Sequence, residues 1–225
     1  PQAFDTLCLG RFFRQKGQYT MTEHYEVLVL GVGNILWADE GFGVRCAEAF
    51  HKKFKPHPSV RVIDGGTLGP YLINELMSAK RLLIFDCCDF KAEAGTMDVL
   101  RDADIKQWSS TKISAHQGGL NDVLATAALQ GYVPEAIAVV GVQPLTLDDY
   151  GGSLTQLVAE KLDEALDLAQ AEMASWGITL QPRAPDEPVE PLADHSLELA
   201  DYEEGRPDSR EACRIGDVRF FPKKS

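Results

Sequence analysis

Residues 27–44, VLVLGVGNILWADEGFGV, decide the fold. The segment opens with the apolar run 27–30, continues with Gly31 and Gly33, and passes into a helical pattern that begins at Gly43. An apolar strand followed by a glycine turn and a helix is typical of an α/β unit. Two carboxylates, Asp39 and Glu40, stand where the helix begins.

The rest of the chain repeats this alternation of strand and helix. Strand-like runs occur at 27–30, 60–63, 82–85 and 137–142, and a weaker run at 97–100 suits an edge strand. Helical patterns cover 43–54, 70–77 and 120–129, and one apolar stripe runs over 154–173. The sequence therefore predicts an α/β fold with a largely parallel sheet. Ser153 and Gln156 fit a capping box, and Gly177 is placed to end the last helix.

Composition limits the organisation and the partners of the chain. Its 225 residues suit one domain with appendages, and we predict an extension at 1–20, a single domain at 21–180 and a Pro-rich acidic tail at 181–225. The formal net charge of −12 argues against nucleic acid or an anionic membrane as partner. No apolar run is long enough to insert into a membrane. Five cysteines without a CxxC pair argue against a disulfide framework or a zinc site, and Cys87 and Cys88 are predicted to be small buried side chains.

The opening segment resembles a nucleotide-binding loop only in part. A dinucleotide fingerprint needs a third glycine, and Leu36 occupies that position. Asp39 and Glu40 at the start of a helix would also repel a phosphate. We therefore interpret Gly31 and Gly33 as backbone room at the mouth of a cleft, and Asp39 as a helix cap beside a functional Glu40.

Three carboxylates follow strand-like runs and are predicted to meet at one sheet edge. Glu40, Asp64 and Asp86 each come after such a run, and parallel strands bring their carboxyl ends together. His116, in the loop SAHQ, is the histidine placed to join them. Two carboxylates and an imidazole suit a borderline divalent ion such as Zn²⁺ or Ni²⁺, and three protein ligands describe an open, reactive site.

These residues, in this order, resemble the [NiFe] hydrogenase maturation endopeptidases, and most closely the branch that serves uptake-type hydrogenases. The matching segments cover about two-thirds of the chain and include GVGNILWADEGFGV, DGGT, LLIFDCCD, SAHQ, VVGVQP and DDYGGSLT. The resemblance implies a three-layer α/β sandwich, in which a twisted, mostly parallel five-stranded sheet carries helices on both faces.

The resemblance also implies site residues. Glu40, Asp86 and His116 correspond to the family's metal-binding cleft, and Asp64 is a further acidic catalytic candidate. The predicted substrate contacts are Gly65, Gly66, Thr67 and Gln117.

The activity that the resemblance implies is removal of the C-terminal extension of the hydrogenase large-subunit precursor after nickel insertion. No permanent cofactor is expected; nickel comes with the substrate, and Zn or Cd can take its place in vitro. We expect a cytoplasmic monomer whose partner is that precursor. A nickel-activated water and a carboxylate base such as Asp64 both remain open as mechanisms. The alternatives are a non-cleaving, nickel-sensing chaperone and a nucleotide-binding α/β protein.

Overall fold

The five apolar runs all form strands of one sheet. The computed structural model of the chain describes residues 12–15, 18–21, 24–67, 69–102, 104–105 and 117–206. Near the N-terminus, a separate two-stranded antiparallel sheet consists of β1 (Phe12–Gln15) and β2 (Gln18–Met21). The strands of the main sheet are β3 (Tyr25–Val32), β4 (Val60–Gly66), β5 (Ala79–Cys87), β6 (Met97–Arg101) and β7 (Ala136–Val142).

The main sheet has the order β4-β3-β5-β7-β6, and only β6, at the edge, is antiparallel to its neighbour. The chain leaves β3 toward β4 on one side, and then crosses back to β5 on the other side of β3. This reversal makes the carboxyl ends of β3 and β5 the switch point of the sheet, where open α/β folds form their ligand crevice.

Helices cover both faces of the sheet, as predicted. They are α1 (Phe42–Lys53), α2 (Ile73–Leu76), α3 (Gln117–Leu129), α4 (Gln156–Ala159), α5 (Leu162–Ser175) and α6 (Leu199–Gly205). Short 3₁₀ turns lie at Ala38–Gly41, Gly69–Leu72 and His195–Leu197. One core layer joins α1 and α5 to the sheet, and the other joins α2 and α3 to the opposite face. Successive side chains of the buried strands point to opposite faces of the sheet and pack alternately into the two core layers.

The C-terminal helical stripe departs from the prediction at its beginning. The structure divides it into α4 and α5, and the capping-box prediction is wrong. Thr155 is the N-cap of α4 and makes no capping hydrogen bond with its side chain, while the Ser153 hydroxyl donates to Glu203 at 2.6 Å. The end of α5 is as predicted, because Gly177 adopts φ +81° and the N–H of Ile178 donates to the Met173 carbonyl. This is a Schellman ending.

Residues 181–206 of the acidic tail pack along α1. Phe54 forms a bridge with Pro182, and the Arg183 guanidinium donates to the Phe54 carbonyl at 3.0 Å. Farther along, Lys52 pairs with Glu198 at 2.6 Å. The division into extension, domain and tail stays a prediction. Within the residues that the structure describes, we find no helix both long and apolar enough to span a membrane.

Candidate active site at the switch point

Glu40 lies in the 3₁₀ turn that links the end of β3 to α1. Its backbone is fixed by the Trp37 carbonyl, which accepts from the Glu40 N–H at 3.0 Å, and by the Asn34 N–H, which donates to the Glu40 carbonyl at 3.2 Å. Gly33 permits this approach, because a Cβ there would stand 1.9 Å from the Glu40 carbonyl oxygen.

The carboxylate of Glu40 is buried and incompletely satisfied. The residue is 6% exposed, and its Oε1 has no hydrogen-bond partner among the residues that the structure describes. A buried carboxylate oxygen without a partner is costly unless it has a ligand. Oε1 of Glu40 is therefore available to a cation or a donor that binds at this edge of the sheet.

Asp86 provides a second buried carboxylate at the same edge. It is the penultimate residue of β5, pairs in register with Gly141 of β7, and is 2% exposed. Glu40 follows β3 and Asp86 ends β5, so the two acids flank the switch point. Carboxylate oxygens are suitable ligands for a divalent cation, so the chemistry of this edge is compatible with one.

Asp64 lies on the other side of β3, near the end of β4. It is half-buried, and its Oδ1 accepts from the Gly66 N–H at 2.8 Å. Burial raises the pKa of Asp64, and the Gly66 N–H and the charge of Arg45 oppose that rise. A carboxyl group whose pKa is raised by burial is a stronger base once it is ionised, which suits general-base chemistry.

Two predicted site residues fall outside what the structure describes. His116 belongs to the segment 106–116, and the side chain of Gln117 is likewise outside the described part, although its backbone begins α3. Their roles stay predictions. The described residues thus place three carboxylates, Glu40, Asp64 and Asp86, at one edge of the sheet.

The predicted substrate contacts after β4 differ in their surroundings. Gly65 is buried, and a Cβ there would meet Leu30 Cδ1 at 2.4 Å, so its lack of a side chain serves packing against β3. Gly66 has φ +42°, a conformation that favours glycine, and Thr67 is exposed. Substrate binding by these residues stays a prediction.

The glycines of the opening loop make room for α1. A Cβ on Gly31 would stand 2.4 Å from the Gly43 carbonyl oxygen and 2.7 Å from Ala47 Cβ. The interpretation of these glycines as room at a cleft mouth is therefore corrected: the space beside Gly31 is filled by the helix, and that beside Gly33 by the Glu40 backbone. Neither leaves an opening for a pyrophosphate.

Asp39 has a different role from the predicted helix cap. The turn and α1 that follow it have no capping hydrogen bond from a side chain. Instead the fully buried Asp39 carboxylate accepts from the backbone N–H groups of Leu145, Thr146 and Thr155 at 2.9, 3.1 and 2.7 Å. The Thr155 hydroxyl also donates to it, at 2.9 Å. Asp39 thus fastens the loop between β7 and α4 to the turn that carries Glu40. Both the turn and the loop are recognisable in the sequence, but no sequence pattern predicts that they contact each other.

The cysteines near the site are buried thiols, as predicted. Cys46, Cys87 and Cys88 are buried and form no disulfide, and the Cys87 thiol donates to the Asp39 carbonyl at 2.6 Å. Burial, with a smaller contribution from the charge of Asp86, raises the pKa of Cys87 well above its usual range. A protonated thiol engaged as a donor is a poor metal ligand.

Known proteins resemble this chain along most of its length. The family model described as "Hydrogenase maturation protease" matches residues 44–172. The hydrogenase expression/formation protein HupD of Rhodobacter capsulatus is 48% identical over 197 residues, which cover 87% of this chain and 93% of HupD. The hydrogenase 2 maturation protease of Escherichia coli is 39% identical over 158 residues, which cover 70% of this chain and 96% of that protein.

The fold of the chain is also similar to that of a solved protease of this kind. The solved structure of the hydrogenase maturating endopeptidase HybD from E. coli superposes with a TM-score of 0.66 at 37% identity, over 70% of this chain and 98% of that one. Both the sequence and the fold therefore place the buried carboxylates of the switch point in a peptidase scaffold. The chain belongs to the hydrogenase maturation proteases, a family of peptide-bond hydrolases.

Proposed function

We propose that this protease removes the C-terminal extension of the large-subunit precursor of a [NiFe] hydrogenase once nickel has been inserted. Family membership supports the peptidase activity and its link to hydrogenase maturation. The observation that carries the nickel dependence is the unpartnered, buried Oε1 of Glu40 beside the buried Asp86. A precursor that carries a nickel ion brings a cation for the open Oε1 of Glu40.

Nickel belongs to the substrate in this proposal, and the protein holds no permanent cofactor. Glu40 and Asp86 provide oxygen ligands, and His116 is proposed to add an imidazole, a donor set suited to a borderline divalent ion. A cation held beside the scissile amide can polarise its carbonyl group. The carboxylates thereby bind and orient the precursor at the bond to be cut.

Hydrolysis then requires a water molecule to add to the scissile carbonyl carbon and a proton to reach the leaving nitrogen as the C–N bond breaks. Asp64 is the described carboxyl group suited to take the proton from that water, since its pKa is raised by burial. Glu40 and Asp86 are reserved for the cation. We therefore assign the base to Asp64, and the alternative is a water activated by the substrate's nickel alone.

The pH profile of Asp64→Asn distinguishes these two mechanisms. Asp64 must be ionised to act as a base, so the wild-type rate is low below its raised pKa and increases as the pH rises through it. Asparagine should lower the rate by about a hundredfold and remove that rising limb. Single-turnover processing of nickel-loaded precursor between pH 4 and 8 measures both. A variant with the wild-type rate and profile would exclude Asp64 as the base.

Nickel in the precursor is expected to decide whether cleavage occurs. Nickel-loaded precursor should be shortened, and metal-free precursor should remain full-length, because without the cation the buried acids repel one another and hold the substrate poorly. Mass spectrometry of the precursor after incubation measures this directly. Equal cleavage of both forms would refute the nickel dependence. If neither form were cut while nickel-loaded precursor stayed bound, the result would favour the non-cleaving chaperone.

A further inference from the structure

A groove of about 900 Å³ lies beside the turn that carries Glu40. One wall comes from the domain and includes Leu36 and Tyr150. The other wall comes from the acidic tail and includes Asp194, Asp201 and Tyr202. The groove is therefore formed jointly by the domain, next to the turn that carries Glu40, and by the acidic tail that follows α5.

The domain wall is joined firmly to the site. The Leu36 carbonyl accepts from the Gly151 N–H at 2.7 Å, and the rings of Trp37 and Tyr150 lie 5.1 Å apart. Trp37 in turn bonds to the Glu40 N–H. A ligand resting on Leu36 would thus contact the tight turn that presents the Glu40 carboxylate.

The tail wall is held by several contacts with the domain. Ser153 donates to Glu203 at 2.6 Å, and Lys52 pairs with Glu198. The buried Arg45 donates to the Leu197 carbonyl and lies 5.4 Å from the centre of the Tyr202 ring. Hydrogen bonds, an ion pair and a cation–π contact therefore fix the tail across the start of α1.

The chemistry of the groove is apolar and acidic. Leu36 and Tyr150 are 41% and 44% exposed, so the domain wall presents two neighbouring apolar side chains to a ligand in the groove. Among the charged residues that line the groove, Asp194 and Asp201 are acidic and Arg206 is basic, so with a neutral His195 the lining has a net negative charge. Ser196 donates twice to Asp194, which lowers the pKa of that carboxyl group and keeps it charged. An apolar side chain flanked by Lys or Arg complements such a surface.

Part of the tail lies within the match to one relative. The match to HupD covers 197 of 225 residues and leaves 28 outside, fewer than the 45 residues from Gln181 onward, so it includes part of the tail. The match to the E. coli protease is shorter, with 158 residues that cover 70% of this chain and 96% of that protein.

We propose that the groove, defined by Leu36, Tyr150, Asp194, Asp201 and Tyr202, docks an apolar and basic segment of the hydrogenase precursor. This proposal rests on the proposed function and adds a determinant of substrate choice outside the carboxylates. Docking on Leu36 places the precursor beside the Glu40 turn, so the groove contributes to affinity and leaves the chemical step to the carboxylates.

A pair of neutral substitutions tests the groove. Asp194→Asn with Asp201→Asn removes two charges and preserves the shape of both side chains. We expect KM for nickel-loaded precursor to rise about fivefold at low ionic strength, as exposed charge pairs allow, while kcat changes less than twofold. The effect should shrink at high salt. The matched control, Asp186→Asn with Glu190→Gln, removes two exposed tail charges outside the groove and should leave KM unchanged.

The outcomes separate the groove from the function itself. If wild-type protein cleaves the precursor and the double variant has the same KM, the groove proposal is wrong and the peptidase proposal stands. If wild-type protein does not cleave at all, the proposed function fails. The groove could instead be occupied by the C-terminal segment of the same chain, and a full-length Phe220→Asp, Phe221→Asp variant tests this alternative. A KM lower than that of the wild type would show that this segment competes with the precursor for the groove, and that result would also overturn the proposal.

Discussion

Glutamine in place of Glu40 is expected to lower the processing rate about a thousandfold while the protein keeps its fold. Glutamine preserves the shape of the side chain and removes the charge that would bind the substrate's cation, an interaction worth several kcal/mol. The fold should tolerate the change, because Oε1 has no hydrogen-bond partner among the described residues and an uncharged group costs less to bury. Single-turnover processing of nickel-loaded precursor and thermal unfolding provide the two measurements.

The control for Glu40→Gln is Glu164→Gln, the same substitution on the exposed surface of α5. It should process the precursor at the wild-type rate. A Glu40→Gln protein with wild-type activity would refute the assignment of Glu40 to the site. Loss of activity accompanied by unfolding would show instead that the buried carboxylate has a structural partner.

Alanine in place of Asp39 is expected to destabilise the protein by about 4 kcal/mol and to abolish processing. The change leaves three backbone N–H groups and the Thr155 hydroxyl without their charged acceptor in a buried position. For a chain of this size the midpoint of thermal unfolding should fall by roughly 10 °C. Urea unfolding followed by circular dichroism measures the free energy, and the precursor assay measures activity.

The control for Asp39→Ala is Thr155→Ser, which retains the hydroxyl donor to Asp39 and should stay within about 1 kcal/mol of wild type. The stability of Asp39→Asn should be closer to that of Asp39→Ala than to that of the wild type, because the NH₂ group of asparagine would face backbone N–H donors and cannot accept from them. An Asp39→Ala protein as stable as wild type would show that water replaces the carboxylate and that the β7–α4 loop does not depend on it.

Asp39 and Glu40 illustrate how neighbouring acids divide their functions. Asp39 is completely hydrogen-bonded within the protein, whereas Glu40 retains an oxygen for a ligand. The first carboxylate positions the turn and the second is presented by it. The two variants should therefore differ in kind: Asp39→Ala loses stability as well as activity, whereas Glu40→Gln loses activity and keeps its stability.

Local sequence was sufficient to predict where the strands form and at which edge of the sheet the acidic residues lie. The five strands form at the five apolar runs, and the three inner strands β3, β5 and β7 have the continuous apolar sequence typical of strands that are buried on both faces. Glu40, Asp64 and Asp86 meet at one edge because parallel strands share the direction of their carboxyl ends. The Gly177 ending of α5 was also predictable, since its hydrogen bonds join residues only a few positions apart.

The incorrect predictions concern side chains whose partners are distant along the chain. Asp39 was assigned to a local helix cap, yet its donors are more than 100 positions away. Ser153 was assigned to a capping box, yet its hydroxyl reaches Glu203 in the tail. In both cases a tertiary partner replaced the local hydrogen bond that the spacing favoured.

By itself, the sequence determined the α/β architecture, the family resemblance and the carboxylates of the site, because apolar periodicity and strand ends are properties of neighbouring residues. Only the tertiary structure decided which acid is engaged within the protein and which is presented to a ligand, and that the tail meets Leu36 and Tyr150 to form a groove. These features depend on contacts between segments far apart in the chain, and burial and hydrogen bonding at such contacts are set only when the whole chain has folded.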